Sequence, residues 1–149
     1  MAGTALVYDF SSLSRLEDRL QRLAGTDRRQ LLGELGAVLE SQTKRRITDE
    51  KEGPDGASWA DWSEGYAAKR HSGQSLLESE GHLEGEITHN VTSDSEVEVG
   101  TNLVYAATHQ FGSDDGRNIP ARPYLGLSAD NEAELLDVAD RFLDRVVNL

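Results

Sequence analysis

The sequence predicts an α+β domain, in which a small antiparallel sheet packs with two N-terminal helices and a C-terminal amphipathic helix. Three observations carry this. Leucines at 13, 16, 20 and 23 recur at helical spacing. From Leu83 to Val99 apolar residues alternate in period two, as in strands with one wet face. From Ser128 onward apolar positions return every three to four residues. No β-α-β alternation occurs, so nothing supports a parallel sheet.

Taken in order, Thr4 to Phe10 ("TALVYDF") is rich in β-formers and reads as a first strand. Ser11 or Ser12 is placed to cap the leucine-striped helix, and Gly25 to end it. Asp27 is then placed to cap a second helix to about Ile47, burying Leu31, Leu35, Val38 and Leu39. Lys44-Arg45-Arg46 falls in its last turn, where positive charge offsets the negative end of the helix dipole. Gly53-Pro54-Asp55-Gly56 has turn chemistry: proline presets φ, aspartate bonds back to the backbone and glycine accepts positive φ. Ser63 is expected to open a short helix. Leu83, Ile87 and Val91, then Val97 and Val99, form the hairpin, turned at Ser93-Asp94. Val104 to Phe111 has helical spacing and Gly112 follows it as a natural C′ residue. Ile119 to Tyr124 must be extended, because each proline pushes its predecessor out of the helical region. In the final helix Leu135, Leu136, Ala139, Phe142, Leu143, Val146 and Val147 face inward, with Ser128 or Asp130 as cap.

The chain has 149 residues, enough for one domain over 1–149, with mobile loops expected at 49–58, 71–76 and 113–118. Its apolar fraction is a lean 37% and its mean hydropathy −0.55, a composition that suits a small core or one completed by neighbouring subunits. The absence of cysteine excludes disulfides, thiolate metal sites and cysteine nucleophiles. No apolar run approaches the roughly 18 residues of a membrane span, and the start of the chain lacks signal-peptide anatomy. The expectation is a soluble, unexported protein with no membrane contact.

The net charge is −12, unevenly spread. Between His71 and Gly116 there is no lysine or arginine against nine acids, whereas Arg15 to Arg46 holds eight basic residues and five acidic. Such asymmetry can steer one face of a subunit toward the opposite face of the next. It argues against tight duplex binding, which calls for a basic surface.

The four histidines are not at metal-ligand spacing, so no metal and no cofactor is expected. His109, Ser113 and Asp114 or Asp115 supply the residue types of a hydrolytic site, without a nucleophile elbow or a glycine-rich phosphate cradle. Contact residues are better represented. Trp59 and Trp62 stand one helical turn apart, and the Pro-Ala-Arg-Pro-Tyr segment presents an arginine and a tyrosine from a stiff backbone. Trp59, Trp62, Tyr105, His109, Phe111, Arg122 and Tyr124 are the residues expected to serve packing or subunit contact.

Four blocks in order carry a family resemblance: "EGPDGASWADWS" at 52–63, "SLLESEGHL" at 75–83, "VGTNLVYAATHQFG" at 99–112 and "IPARPYLGLS" at 119–128. They resemble the phage virion morphogenesis (tail completion) family of Mu-like tailed phages. Pro54, Asp55, Gly56 and Trp59 match its first motif, and Leu77, Gly81 and Leu83 its second. Tyr105, Ala106, His109, Gln110, Phe111 and Gly112 match the third, and Ile119 through Gly126 the last. The acidic loop after Gly112 and the charged segment before Gly53 depart from the pattern but touch none of these residues.

The resemblance implies a non-enzymatic virion protein of the head–tail neck, assembled in the host cytoplasm, that completes the tail for joining to a filled head. It implies a homo-oligomeric ring, commonly six-fold, with other neck, connector and tail-terminator proteins as partners. Genomic DNA would be passing cargo only, and an acidic inner wall would let it slide. The competing readings are a phage hydrolase using His109 with nearby acids, and a soluble protein-binding module.

Overall fold

The computed structural model describes residues 4–10, 13–61, 76–77, 82–113, 116 and 119–147. Strand β1 (Thr4–Asp9) leads into helices α1 (Ser14–Gln21) and α2 (Gly25–Arg45), the latter prolonged by a π-helical turn at Arg46–Glu50. A one-turn helix α3 (His82–Gly85) precedes strands β2 (Thr88–Val91) and β3 (Glu96–Thr101), then helix α4 (Ala106–Phe111) and helix α5 (Ala129–Val147). The strands form an antiparallel sheet in the order β1-β3-β2. The fold class is therefore α+β.

Register decides which face of the sheet is buried. Leu6 and Tyr8 pair with Val99 and Val97, and across the other ladder His89 and Val91 pair with the same two valines. Directly opposed residues share a face, so these six line the side that meets α2. The opposite side carries Ala5, Val7, Thr88, Asn90, Glu96, Glu98 and Gly100. Helix α2 also packs on α5, and α1 lies against both helices. Leu31, Leu32, Leu35 and Leu39 of α2 are fully buried among Leu16, Leu20, Phe10, Val97, Val99, Ile87, Leu135, Ala139 and Phe142.

Several local expectations are corrected. Helix α1 ends at Gln21, so Gly25 opens α2 instead of closing α1, with Ala24 extended (φ −68°, ψ 161°) at the N-cap. Asp27 lies inside the first turn, where its charge still complements the helix dipole. The N-cap position of α1 is Leu13, whose side chain cannot cap; Ser11 and Ser12 lie outside the described residues. Leu83 belongs to the helical turn α3, and strand β2 starts only at Thr88. Leu83 and Ile87 stand four apart, which fits a helical turn as well as alternation, and both are buried. Val97 and Val99 do alternate inward on β3, and residues 93–95 make the hairpin bend.

Beyond Glu50, Lys51 takes a left-handed conformation (φ 56°) that stops the helix. The next residues close a hydrogen-bonded turn. Gly53 N–H donates to the Ala57 carbonyl at 2.9 Å, Glu52 and Ser58 form an antiparallel bridge, and Trp59 N–H returns to the Lys51 carbonyl at 3.1 Å. The short helix expected from Ser63, the 71–75 stretch and Trp62 lie outside the described residues.

Leu35 sits at the centre of the helix–sheet contact with no exposed surface. Leu35→Ala is expected to cost about 2–5 kcal/mol of unfolding free energy, from lost transfer energy plus a cavity. Urea titration followed by circular dichroism checks this.

Candidate functional site

The site is built on the return of the chain after α4. Gly112 caps that helix with φ 79°, and its N–H bonds to the Thr108 carbonyl at 2.7 Å. A Cβ added there would sit 2.9 Å from both the Ala121 nitrogen and the Ile119 oxygen, so only glycine lets the following segment fold back so closely. Ser113 N–H then meets the Ile119 carbonyl at 2.8 Å and Arg122 N–H the His109 carbonyl at 2.7 Å. Residues 119–126 thus run back along α4 as an extended arm.

Two prolines keep this arm from joining a sheet, so side chains satisfy its backbone. The Gln110 amide oxygen accepts from Tyr124 N–H and Leu125 N–H, both at 3.0 Å, while its NH2 donates to the Leu125 carbonyl at 3.3 Å. Trp59 Nε1–H donates to the Pro123 carbonyl at 2.8 Å. Arg46 reaches the Tyr124 carbonyl with one guanidinium nitrogen and Asn131 Oδ1 with another. The Tyr8 hydroxyl donates to the Gly126 carbonyl at 3.0 Å and accepts from its N–H at 3.2 Å. Gly126 itself has φ 149°, and a Cβ there would meet Pro54 Cγ at 2.4 Å.

The arm's own side chains turn inward. Tyr124 is fully buried and its hydroxyl donates to the Ala106 carbonyl at 2.8 Å, with burial pushing its phenol far above the ordinary range. Arg122 is buried too, its guanidinium donating to the carbonyls of Ala60 at 2.7 Å and Asp61 at 2.9 Å. Burial lowers the pKa of Arg122 and of Arg46; an arginine nonetheless stays charged. Both rest on neutral acceptors in a partly dry setting. Asn131 also completes a reciprocal cap of α5: its N–H bonds to Ser128 Oγ at 3.0 Å, and its Oδ1 accepts from Ser128 N–H at 3.2 Å.

The sequence-selected residues divide sharply. Trp59, Arg122 and Tyr124 are buried and bonded within the chain. Tyr105 is 38% exposed and stands edge-on to His109, ring centroids 5.6 Å apart. Phe111 is 71% exposed and Val104, unmarked by sequence reasoning, 73%. Gln110 and Tyr8 were also missed as clamps, although Gln110 lies inside the quoted block. Arg46 reads as one of three cations in a helix end; its neighbours Lys44 and Arg45 do pair on the surface, with Glu40 and Glu134.

Burial, and then the Arg122 charge, hold the His109 imidazole below its ordinary pKa. Its buried Nδ1 finds no hydrogen-bond partner among the described residues. Asp114 and Asp115, the acids a catalytic reading would enlist, lie outside those residues. No three histidine, aspartate or glutamate side chains among the described residues gather to hold a metal. No described helix is long and apolar enough to cross a membrane.

Fold and arm together define an α+β domain whose motif residues fasten a returning segment against three elements and leave an apolar edge outside. Residues 9–144 match the Phage virion morphogenesis family, and the chain belongs to that family. It is 29% identical over 111 residues to protein G of Escherichia phage Mu, whose name proposes a role in capsid assembly; the match covers 69% of this chain and 71% of that protein. It is 43% identical over 79 residues to Mu-like prophage FluMu G protein 2 of Haemophilus influenzae, covering 50% of this chain and 56% of the relative. It is 28% identical over 145 residues to FluMu G protein 1 of the same bacterium, covering 93% and 95%. No solved structure matches the chain.

Arg46→Lys is expected to destabilise the fold by about 3 kcal/mol, because an ammonium cannot fork to two buried acceptors, each worth about 1.5–3 kcal/mol with a charged donor. Thermal and denaturant unfolding measure it. A second expectation follows from His109. The folded state disfavours its protonated form, so the unfolded chain binds more protons as pH falls below the ordinary value of about 6.5. This contribution to stability is whole above that pH and is lost on acidification. Relative to the non-titrating His109→Gln variant, the parent should lose stability as pH falls below about 6.5, the difference between their unfolding free energies staying constant above that pH.

Proposed function

We propose that the chain is a structural, non-enzymatic protein of the head–tail neck, completing the tail so that it can join a filled head. It works as a homo-oligomeric ring, six-fold as in the connectors it resembles, around the DNA channel. Other neck, connector and tail-terminator proteins contact its outer faces, and DNA is passing cargo. Its place is the virion, after assembly in the host cytoplasm. Membership of the morphogenesis family supports this reading, as does the assembly role proposed in the name of the Mu relative.

One observation carries the reading: Val104, just before α4, and Phe111, its last residue, are more than 70% exposed while side chains tie down the arm behind them. A large aromatic held in water on a rigid support loses little entropy when a partner covers it, and such residues anchor interfaces. A net charge of −12 agrees with a protein that lets DNA pass without holding it. The hydrolase alternative would require an acid to orient His109, whose ring makes no hydrogen bond among the described residues.

Phe111→Ala in the phage genome tests the proposal. Truncating an interface anchor costs about 2 kcal/mol or more, roughly thirtyfold in association, while an exposed site leaves folding within about 0.5 kcal/mol. The expected result is a normally folded protein, a lower titre, and unjoined heads and tails by electron microscopy. Normal titre with joined particles would remove this edge from the assembly surface.

A further inference from the structure

We infer that the open face of the sheet is the docking surface for helix α1 of a second copy of this chain. The inference rests on the self-assembly reading above and names the two surfaces that meet.

Among the described residues, nothing packs on the centre of the face turned away from α2. Val7 is 49% exposed there, and Ala5, Thr88 and Asn90 are exposed beside it. Where β1 and β2 flank the end of β3 the surface dips into a cavity of about 200 Å³ at the sheet's end, whose lining includes Ala5, Thr88, Asn90, Glu98 and Asn102 from this side and Thr4, His89 and Thr101 from the ladder positions between them. This is far more than the roughly 10–15 Å³ a single water needs on the same measure, and leaves space for the head of a long side chain. Among the described residues, the Glu98 carboxylate and the side chains of Thr88, Asn90 and Asn102 make no hydrogen bond or ion pair. The Glu96 carboxylate, two residues along β3 on the same face, accepts from the Thr92 hydroxyl at 3.4 Å.

The complementary surface is on α1. The cations of the described residues are nearly all engaged: Arg19 with Asp140, Arg29 with Asp94, Arg45 with Glu134, Arg141 with Asp137 and Arg145 with Glu34, and others on backbone carbonyls. The Arg15 and Arg22 side chains are exposed and make neither a hydrogen bond nor an ion pair among the described residues, although the Arg22 charge helps to hold the Asp140 carboxyl below its ordinary range. Arg15 lies in the first turn of α1 and Arg22 is its C-cap, still helical in backbone (φ −78°, ψ −6°), so the two stand about two turns apart on one face, roughly 10 Å by helical rise, flanking the exposed Asp18. The stems of two such arginines cover apolar surface like that of Ala5 and Val7 while their heads reach carboxylates. Asp18 finds donors in Asn90, Asn102 and Thr88.

Within one chain α1 packs on α2 and α5, and its arginines do not pair with Glu98. The contact is therefore heterologous, sheet face to helix face, the kind that closes into rings when the rotation allows. It also gives Glu96 and Glu98 a task other than lining the DNA channel.

Charge exchange tests this. Glu98→Arg and Arg22→Glu each place like charges in the contact and are expected to weaken self-association at least roughly tenfold, by light scattering and sedimentation. Circular dichroism should show both folded, since neither side chain supports its own chain. An equimolar mixture of the two variants should regain association, because alternating copies restore opposite charges at every contact, and only even-membered rings result. Variants that associate like the parent, or singles that weaken and are not rescued by mixing, overturn this interface and leave the ring proposal standing. A parent chain that stays monomeric at every reachable concentration, alone or with its tail template, overturns both.

Discussion

The rest of the structure depends on how the backbone of residues 119–126 is satisfied. Pro120 and Pro123 remove two donors, and buried amides and carbonyls left alone cost about 1–3 kcal/mol each. A sheet ladder is closed to such a segment, so Gln110, Trp59, Arg46 and Tyr8 each bring a side chain to it. Those four residues come from α4, the turn after the π-helical segment, the start of that segment and β1. One short strip of chain therefore ties together elements more than a hundred residues apart, as in the bond from Tyr8 to Gly126.

This dependence explains why motif residues scattered along the chain form one site. Pro54 packs against Gly126, Trp59 bonds Pro123, and Arg122 bonds the carbonyls that follow Trp59. The turn at 53–57 and the arm hold each other. Asn131 then links the same centre to α5, because its side chain both accepts from Arg46 and completes the cap with Ser128. Trp59, Gln110, Arg122 and Tyr124 are spent on internal bonds, whereas Tyr105, Phe111 and Val104 stay exposed.

Surface ion pairs add little to this framework. Arg145–Glu34, Arg45–Glu134 and Arg29–Asp94 join separate elements, yet exposed pairs are worth about 0–1 kcal/mol each. Stability comes from the leucines of α2 between sheet and α5, and specificity from the bonded arm. Their charges matter more for what they leave over: pairing consumes most of the cations and leaves Arg15 and Arg22 exposed without an ion pair among the described residues.

Much of this was legible in the sequence. Periodicity sufficed for β1, α1, α2, the β3 valines and α5, because burial on one face of a regular element leaves its period in the residues. Gly112 and Ser128 were readable as caps, since positive φ and an orphan N–H each demand particular residue types. Four motif blocks sufficed for the family. Tertiary structure alone decided that Arg46 turns inward while Lys44 and Arg45 pair outside, and that the arginine and tyrosine of the arm are buried rather than presented. It also decided that Leu83 sits on a helical turn. The reason is common to all three: a hydrogen-bond partner distant in sequence, or a contact equally compatible with two periods, leaves no local pattern by which a residue's direction can be read.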